Sequence, residues 1–132
     1  MSDPILKRIH EALRASAEIF ADYEPGKVEA EKKAGGDPVT AADNAVDELL
    51  RQLLPRDGEG WLSEETTDDL RRLEASRVWV VDPLDGTKEF VNRNGEFTVN
   101  IALIDNHRPM FGVVHVPVHK KTDFLNICAS VR

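Results

Sequence analysis

The chain has 132 residues, 24 of them acidic and 17 basic, for a net charge of −7, with 41% hydrophobic and 31% charged residues. This is the composition of one ordinary globular domain, long enough to bury a core and unlike a disordered segment. The acidic balance excludes a basic footprint for nucleic acid and argues against attraction to an anionic membrane surface.

The chain opens on "MSDPILKRIHEALRASAEIF", in which Pro4 behind Asp3 marks a first helical position. Ile5, Leu6, Ile9, Leu13, Ala17 and Phe20 recur at helical spacing and predict one apolar stripe. Acids scattered through this helix make it unlike a secretory leader, and no apolar run approaches the ~20 residues of a membrane span. "YEPGKVEAEKKAGGDP" then reads as a polar, Gly-rich connection whose Lys32 and Lys33 are solvated charge.

A second helix is expected from "VTAAD", capped by Thr40, with Val46, Leu49, Leu50, Leu53 and Leu54 as its apolar face and Pro55 as its stop. "RDGEGWLSEE" reads as a turn, a short strand and an acidic pair, while "TTDDLRRLEAS" suits a short helix or an exposed loop equally. "RVWVVD" is a compact β-branched run, expected to be a strand buried on both faces. "FTVNIALI" and "MFGVVHVPV" predict a hairpin around "DNHRP". Helices precede strands, so the class is α+β, with amphipathic helices on a mainly antiparallel sheet.

The residues that call for chemistry follow the predicted buried strand. Asp82 and Asp85 stand three apart in "DPLDG", expected on the turn that leaves it. Two carboxylates held close repel, and burial makes each harder to ionise, so a hard divalent cation is an economical counter-charge. Glu64 and Glu65, at the end of another short strand, can reach the same place, and the Leu84 carbonyl is a normal further oxygen ligand for magnesium. Asp-Pro and Asp-Gly also favour plain turns, which competes with this reading. Gly86 and Thr87 add backbone N–H groups suited to a phosphate oxygen, or simply a helix cap. Thr40 with Asp43 three residues on is close to a capping box; Asp43 can also orient a water.

Other reactive residues carry less. His115 and His119 have Pro117 between them and would sit too far apart on a strand to share one metal, so both are expected at the surface. The single Cys128 cannot form an internal disulfide, suiting a reducing compartment, and is read as an incidental thiol. Lys88 and Arg93 near the acidic turn are read as solvated, although both could face substrate phosphates.

"DPVTAAD", "LSEE", "DPLDGTKEF" and "NGEFTVNIALI", in this order and spacing, resemble the inositol monophosphatase-like superfamily of lithium-sensitive, magnesium-dependent phosphatases. The "GTKEF" wording is similar to the bacterial 3'(2'),5'-bisphosphate nucleotidase branch, where inositol monophosphatases proper more often read "GTxNF". The resemblance implies the N-terminal half of a layered αβαβα sugar-phosphatase fold, covering residues 1–118, with 119–132 as a divergent tail and the C-terminal domain absent. It implies Glu64, Asp82, Asp85 and the Leu84 carbonyl as ligands of two or three Mg2+ ions. Asp43 and Thr87 would orient the attacking water, with Glu64 as part of the catalytic set. Gly86 and Thr87, together with Glu64, Leu84 and Asp85, would meet the substrate phosphate, and Glu65 would support the site from behind.

The substrate implied is a small phosphorylated nucleotide, adenosine 3',5'-bisphosphate, cut to AMP and phosphate in support of sulfate assimilation. 3'-Phosphoadenosine 5'-phosphosulfate is a related substrate, inositol monophosphate hydrolysis the enzymatic alternative, and an inactive fragment that binds only metal or a partner the third reading. A cytoplasmic location follows, in the cytosol or peripheral at the inner membrane, with no integral membrane segment. The family's later "WD" aspartate motif has no counterpart here, since Trp61 and Trp79 are followed by Leu62 and Val80. Exposed apolar surface, self-association or a complementing C-terminal half are therefore expected.

Overall fold

The computed structural model of the chain describes residues 4–22, 31–32, 38–39, 41–86, 97–117 and 121–126. Helix α1 spans Pro4–Asp22, starting at the expected proline. Its buried stripe steps through Ile5, Ile9, Leu13, Ser16 and Phe20, with Ala12 beside it. Ala17, placed on the stripe by spacing, is exposed instead. Steps of four and three from Leu13 to Phe20 pass through position 16, and Ser16 is tolerated there because its Oγ donates back to the Leu13 carbonyl at 2.7 Å.

Within the stretch read as a connection, β1 (Glu31–Lys32) and β2 (Pro38–Val39) form a short antiparallel ladder. Helix α2 follows at Ala41–Leu53, ending ahead of Pro55 as expected. Val46, Leu50 and Leu54 are buried and Leu49 and Leu53 half-buried, but Asp43 and Asp47 share the buried face. The proposed cap Thr40 lies outside the described residues.

One mixed sheet takes the remaining strands in the order β3 (Gly60–Ser63), β4 (Arg77–Asp85), β5 (Thr98–Asp105), β6 (Arg108–Val116) and β7 (Lys121–Asn126). β3 runs parallel to β4, and the other three pairings are antiparallel. The β3–β4 crossover carries a short 3-10 turn, Arg71–Glu74, preceded by an irregular segment, so both readings of "TTDDLRRLEAS" are partly realised. β5 and β6 form the expected hairpin, with Asn106 and His107 both at positive φ in the tight turn between them. β7 pairs along β6 from Phe111↔Asn126 to Val116↔Lys121, so the sheet takes in part of the stretch set apart as a divergent tail.

Two expectations are corrected here. β4 is buried on one face only: Trp79 and Val81 point into the core, while Val78 and Val80 are half-buried on the opposite face. The helices cover a single side of the sheet, and a strand's period of two then exposes alternate residues. His115, expected at the surface, is only 8% exposed, because the same alternation puts it on the core face of β6 with Phe111 and Val113. His119 lies outside the described residues.

The core between α1, α2 and the inner sheet face gathers Ile9, Val46, Leu50, Trp79, Val99 and Leu103, all fully buried. Phe20 of α1 meets Phe97 at the head of β5 with ring centroids 5.3 Å apart. At one edge a single carboxylate ties the layers together. Glu59 Oε1 accepts from the Arg56 backbone N–H at 2.8 Å, Trp79 Nε1 at 3.0 Å and Arg8 Nη1 at 3.3 Å. Arg8 lies 5.8 Å over the Trp79 ring and donates to the Leu54 carbonyl at 2.7 Å.

Burial by itself would push the Glu59 carboxyl up, but the N–H donors of Trp79 and Arg56 and the charges of Arg8 and Arg77 outweigh it. The carboxyl is held below its ordinary 4.5. A depressed carboxylate stabilises the fold fully above its unfolded pKa and loses that contribution as pH falls through the lower folded value. Glu59→Gln should therefore cost about 1–3 kcal/mol near pH 7. That gap should narrow in urea titrations as pH falls below the ordinary 4.5 and through the lower folded value.

Candidate active site

Parallel pairing decides where the acidic residues meet. β3 and β4 run in register from Gly60↔Val78 to Ser63↔Val81, so they end side by side. Glu64 leaves β3 where Asp82 follows Val81 in β4, at the carboxyl end that open α/β sheets commonly use for ligands. β4 does not stop at Asp82 but continues to Asp85, with its pairing on β5 irregular between the two aspartates. The expected turn is thus a bulged strand end. Within it Pro83 and Leu84 are buried and Asp85 is exposed.

The two aspartates flank one side chain. Asn100 of β5 sits opposite Asp82 in register, and its Nδ2 donates to Asp85 Oδ2 at 3.2 Å. Asn100 Oδ1 is buried and has no hydrogen bond among the described residues, and Asp82 Oδ1 is likewise closed to solvent. Gly86 closes the strand end at φ 90°, a conformation that favours glycine.

From the helical layer, α2 presents Asp43 and, one turn later, Asp47. Asp43 is fully buried and Asp47 6% exposed. Ser63 Oγ and Thr66 Oγ1 donate to the two oxygens of Asp47, which fastens α2 to the residues around Glu64. Glu65, half-buried, donates its backbone N–H to Ser63 Oγ at 3.2 Å. Glu64 is exposed.

The structure therefore brings Glu64, Asp82, Leu84, Asp85 and Gly86 to one end of the sheet, with Asp43 on the helix packed against it. Thr87, Lys88 and Arg93 lie outside the described residues. Among the described residues no group of three or more His, Cys, Asp and Glu side chains is placed to hold a metal ion, so the expected ligand set shares a sheet end without forming a ready-made cage. Its chemistry still fits a hard divalent cation: the donors at the β4 end are all oxygens, and the Asn100 carbonyl oxygen is buried without a donor.

Sequence reasoning missed Asn100 and the group Asp47, Ser63 and Thr66. A signal for the first was a polar residue between Val99 and Ile101 in an apolar strand; for the second, an acid among the apolar positions of α2. On the sheet face away from the helices, a groove of about 690 Å3 runs up to Glu64, Asp82 and Asn100. Its floor includes Leu62, Val80, Ala102, Gly112 and Val114, the last 43% exposed. Among the described residues no helix is long and apolar enough to cross a membrane.

This half-layered sheet with an acidic carboxyl end belongs to a known family: residues 1–125 match the inositol monophosphatase family, and the chain is a member of it. Among curated relatives it is 44% identical over 123 residues to the 3'(2'),5'-bisphosphate nucleotidase CysQ of Escherichia coli (strain K12), a match covering 89% of this chain and 48% of that protein. Among solved structures it superposes on CysQ from Bacteroides thetaiotaomicron with a TM-score of 0.72 at 42% identity, covering 92% of this chain and 45% of that one. An IMPase from Thermotoga maritima gives 0.77 at 28% identity, covering 92% and 47%. The chain thus spans about half the length of the curated relatives it matches. The solved structures bear out the expected fold, the N-terminal half of the α+β inositol monophosphatase architecture.

Proposed function

We propose that the chain is the metal-binding half of a magnesium-dependent phosphatase that removes the 3'-phosphate of adenosine 3',5'-bisphosphate, leaving AMP. The observation that carries this reading is the strand end where Asp82 and Asp85 flank Asn100, beside Glu64 and in a family member similar to CysQ proteins. The same reading extends to turnover of a by-product of sulfate assimilation in the cytoplasm.

Glu64, Asp82, Asp85 and the Leu84 carbonyl would hold the metal, two or three ions in a complete site. Mg2+, when bound, supplies Lewis acidity to a water molecule and to phosphoryl oxygens. Asp43, buried on α2, holds and orients the attacking water by accepting its hydrogen bond, with Thr87 as its partner in that task. Gly86 leaves the strand end without a side chain, so a phosphate oxygen can come close to backbone N–H groups. Glu65 steadies the turn from behind. The open groove would be the second wall's seat, filled by a complementing C-terminal half or by self-association.

The test is phosphate release from adenosine 3',5'-bisphosphate by the purified chain, with and without Mg2+, with Li+ as inhibitor and Asp85→Asn as control. Mg2+-dependent, Li+-sensitive release that Asp85→Asn abolishes supports a working site in this chain or its oligomer. Preference for inositol monophosphate in the same assay would move the reading to the sister activity. Absence of release with metal still bound would leave a binding half that needs its complement.

A further inference from the structure

We infer that Asp47 is a positioning residue, which clamps both ends of the turn carrying Glu64 and Glu65 and so sets Glu64 against the Asp82 strand end. The inference rests on the metal-site reading above and adds a residue that the reading does not use. Its basis is one buried carboxylate with both oxygens engaged. Ser63 Oγ donates to Asp47 Oδ1 and Thr66 Oγ1 to Asp47 Oδ2, and these two hydroxyls bracket positions 64 and 65 on either side.

Each hydroxyl is itself oriented. Ser63 Oγ accepts from the Glu65 backbone N–H at 3.2 Å, and Thr66 Oγ1 accepts from Trp61 Nε1 at 3.2 Å. Both protons therefore point toward Asp47, each of whose two oxygens accepts one of them. Two chains of donors, from Trp61 through Thr66 and from Glu65 through Ser63, converge on one side chain of α2. Hydrogen bonds shielded from water in this way are directional and polarise one another.

The helix explains what the clamp transmits. Asp43 and Asp47 stand one turn apart on the face of α2 that packs on the sheet. Fixing Ser63 and Thr66 to Asp47 therefore fixes the Glu64 turn to the element that carries Asp43. β3 in turn holds its register on β4, so Glu64, Asp82 and Asp43 become one rigid arrangement. A turn with an exposed Glu64 would otherwise move independently of the strand end it faces.

The experiment uses the full chain and two readouts. Amide exchange at residues 64–66 is measured in wild type, Asp47→Ala, Asp47→Asn and the Ser63→Ala/Thr66→Val pair. Mn2+ affinity is measured by titration in the same proteins, with Asp82→Asn as the ligand reference. Asp47→Ala is expected to speed exchange at 64–66 by at least about tenfold while α2 stays protected. It should also weaken Mn2+ by about 10- to 100-fold well below the unfolding temperature. Asp47→Asn, which keeps the shape and one acceptor, should recover part of both effects. The Ser63→Ala/Thr66→Val pair should reproduce Asp47→Ala with the helix carboxylate intact.

Unchanged exchange at 64–66, exchange raised equally across α2 and the sheet, or loosened exchange with unchanged Mn2+ affinity would each overturn the inference. If wild type and Asp82→Asn alike fail to bind Mn2+, the metal-site reading fails, and the exchange arm alone decides whether Asp47 clamps the turn.

Discussion

Asp82→Asn should lower Mg2+ or Mn2+ affinity by about 100-fold or more, judged against the 10- to 100-fold that outer supports of metal ligands usually cost. The change keeps the size of the side chain and one acceptor oxygen, and replaces the other oxygen and its charge with a neutral NH2. Two outcomes then separate a ligand from a structural acid. Without metal, Asp82 and Asp85 are like charges around one asparagine, so neutralising one should leave thermal stability unchanged or raise it. With metal at 100 times its Kd, the wild-type fold gains about 2.7 kcal/mol and the variant almost nothing. Parallel thermal melts with and without Mg2+ read both effects. A lower metal-free melting temperature with an unaltered Mg2+ response would make Asp82 a scaffold residue.

Trp79→Ala should cost about 3–5 kcal/mol, as large a single loss as core truncation usually brings. Trp79 is fully buried at the centre of the inner sheet face, donates its Nε1 to Glu59 and carries Arg8 over its ring. The truncation therefore empties volume, leaves the Glu59 carboxylate short of a donor and frees Arg8 from its packing surface. Small domains hold only about 5–15 kcal/mol in all, so the variant should be partly unfolded at moderate urea. Trp79→Phe keeps most of the packing and loses the N–H, which should cost about 1–3 kcal/mol. Urea titrations at neutral pH compare the two directly. Equal losses would show that the hydrogen bond outweighs the volume.

Local patterns were strong enough to place most elements before any packing was known. Pro4 and Pro55 bound the helical segment at each end because a ring without an N–H suits a first turn and stops a later one. The hairpin was legible because Asn106 and His107 tolerate positive φ between two β-branched runs. The acidic motif was legible as well, since charges at the end of an apolar strand stand out against their neighbours. The step from Ala17 to Ser16 was not, because both positions lie within helical spacing of Leu13 and Phe20 and only packing selects between them.

What the sequence by itself determined is the helix-then-strand order, the edges of α1 and α2, the hairpin, and a cluster of carboxylates in search of a counter-charge. These follow from interactions between near neighbours in the chain. Only the tertiary structure decided that β4 has one buried face, that His115 turns inward, and that Glu64 ends beside Asp82 through parallel pairing. It alone joined Asp47 to Ser63 and Thr66, 16 and 19 residues away. Periodicity gives the spacing of a face but not which layer covers it, and a carboxylate shows its partners only when the chain has brought them within a hydrogen bond.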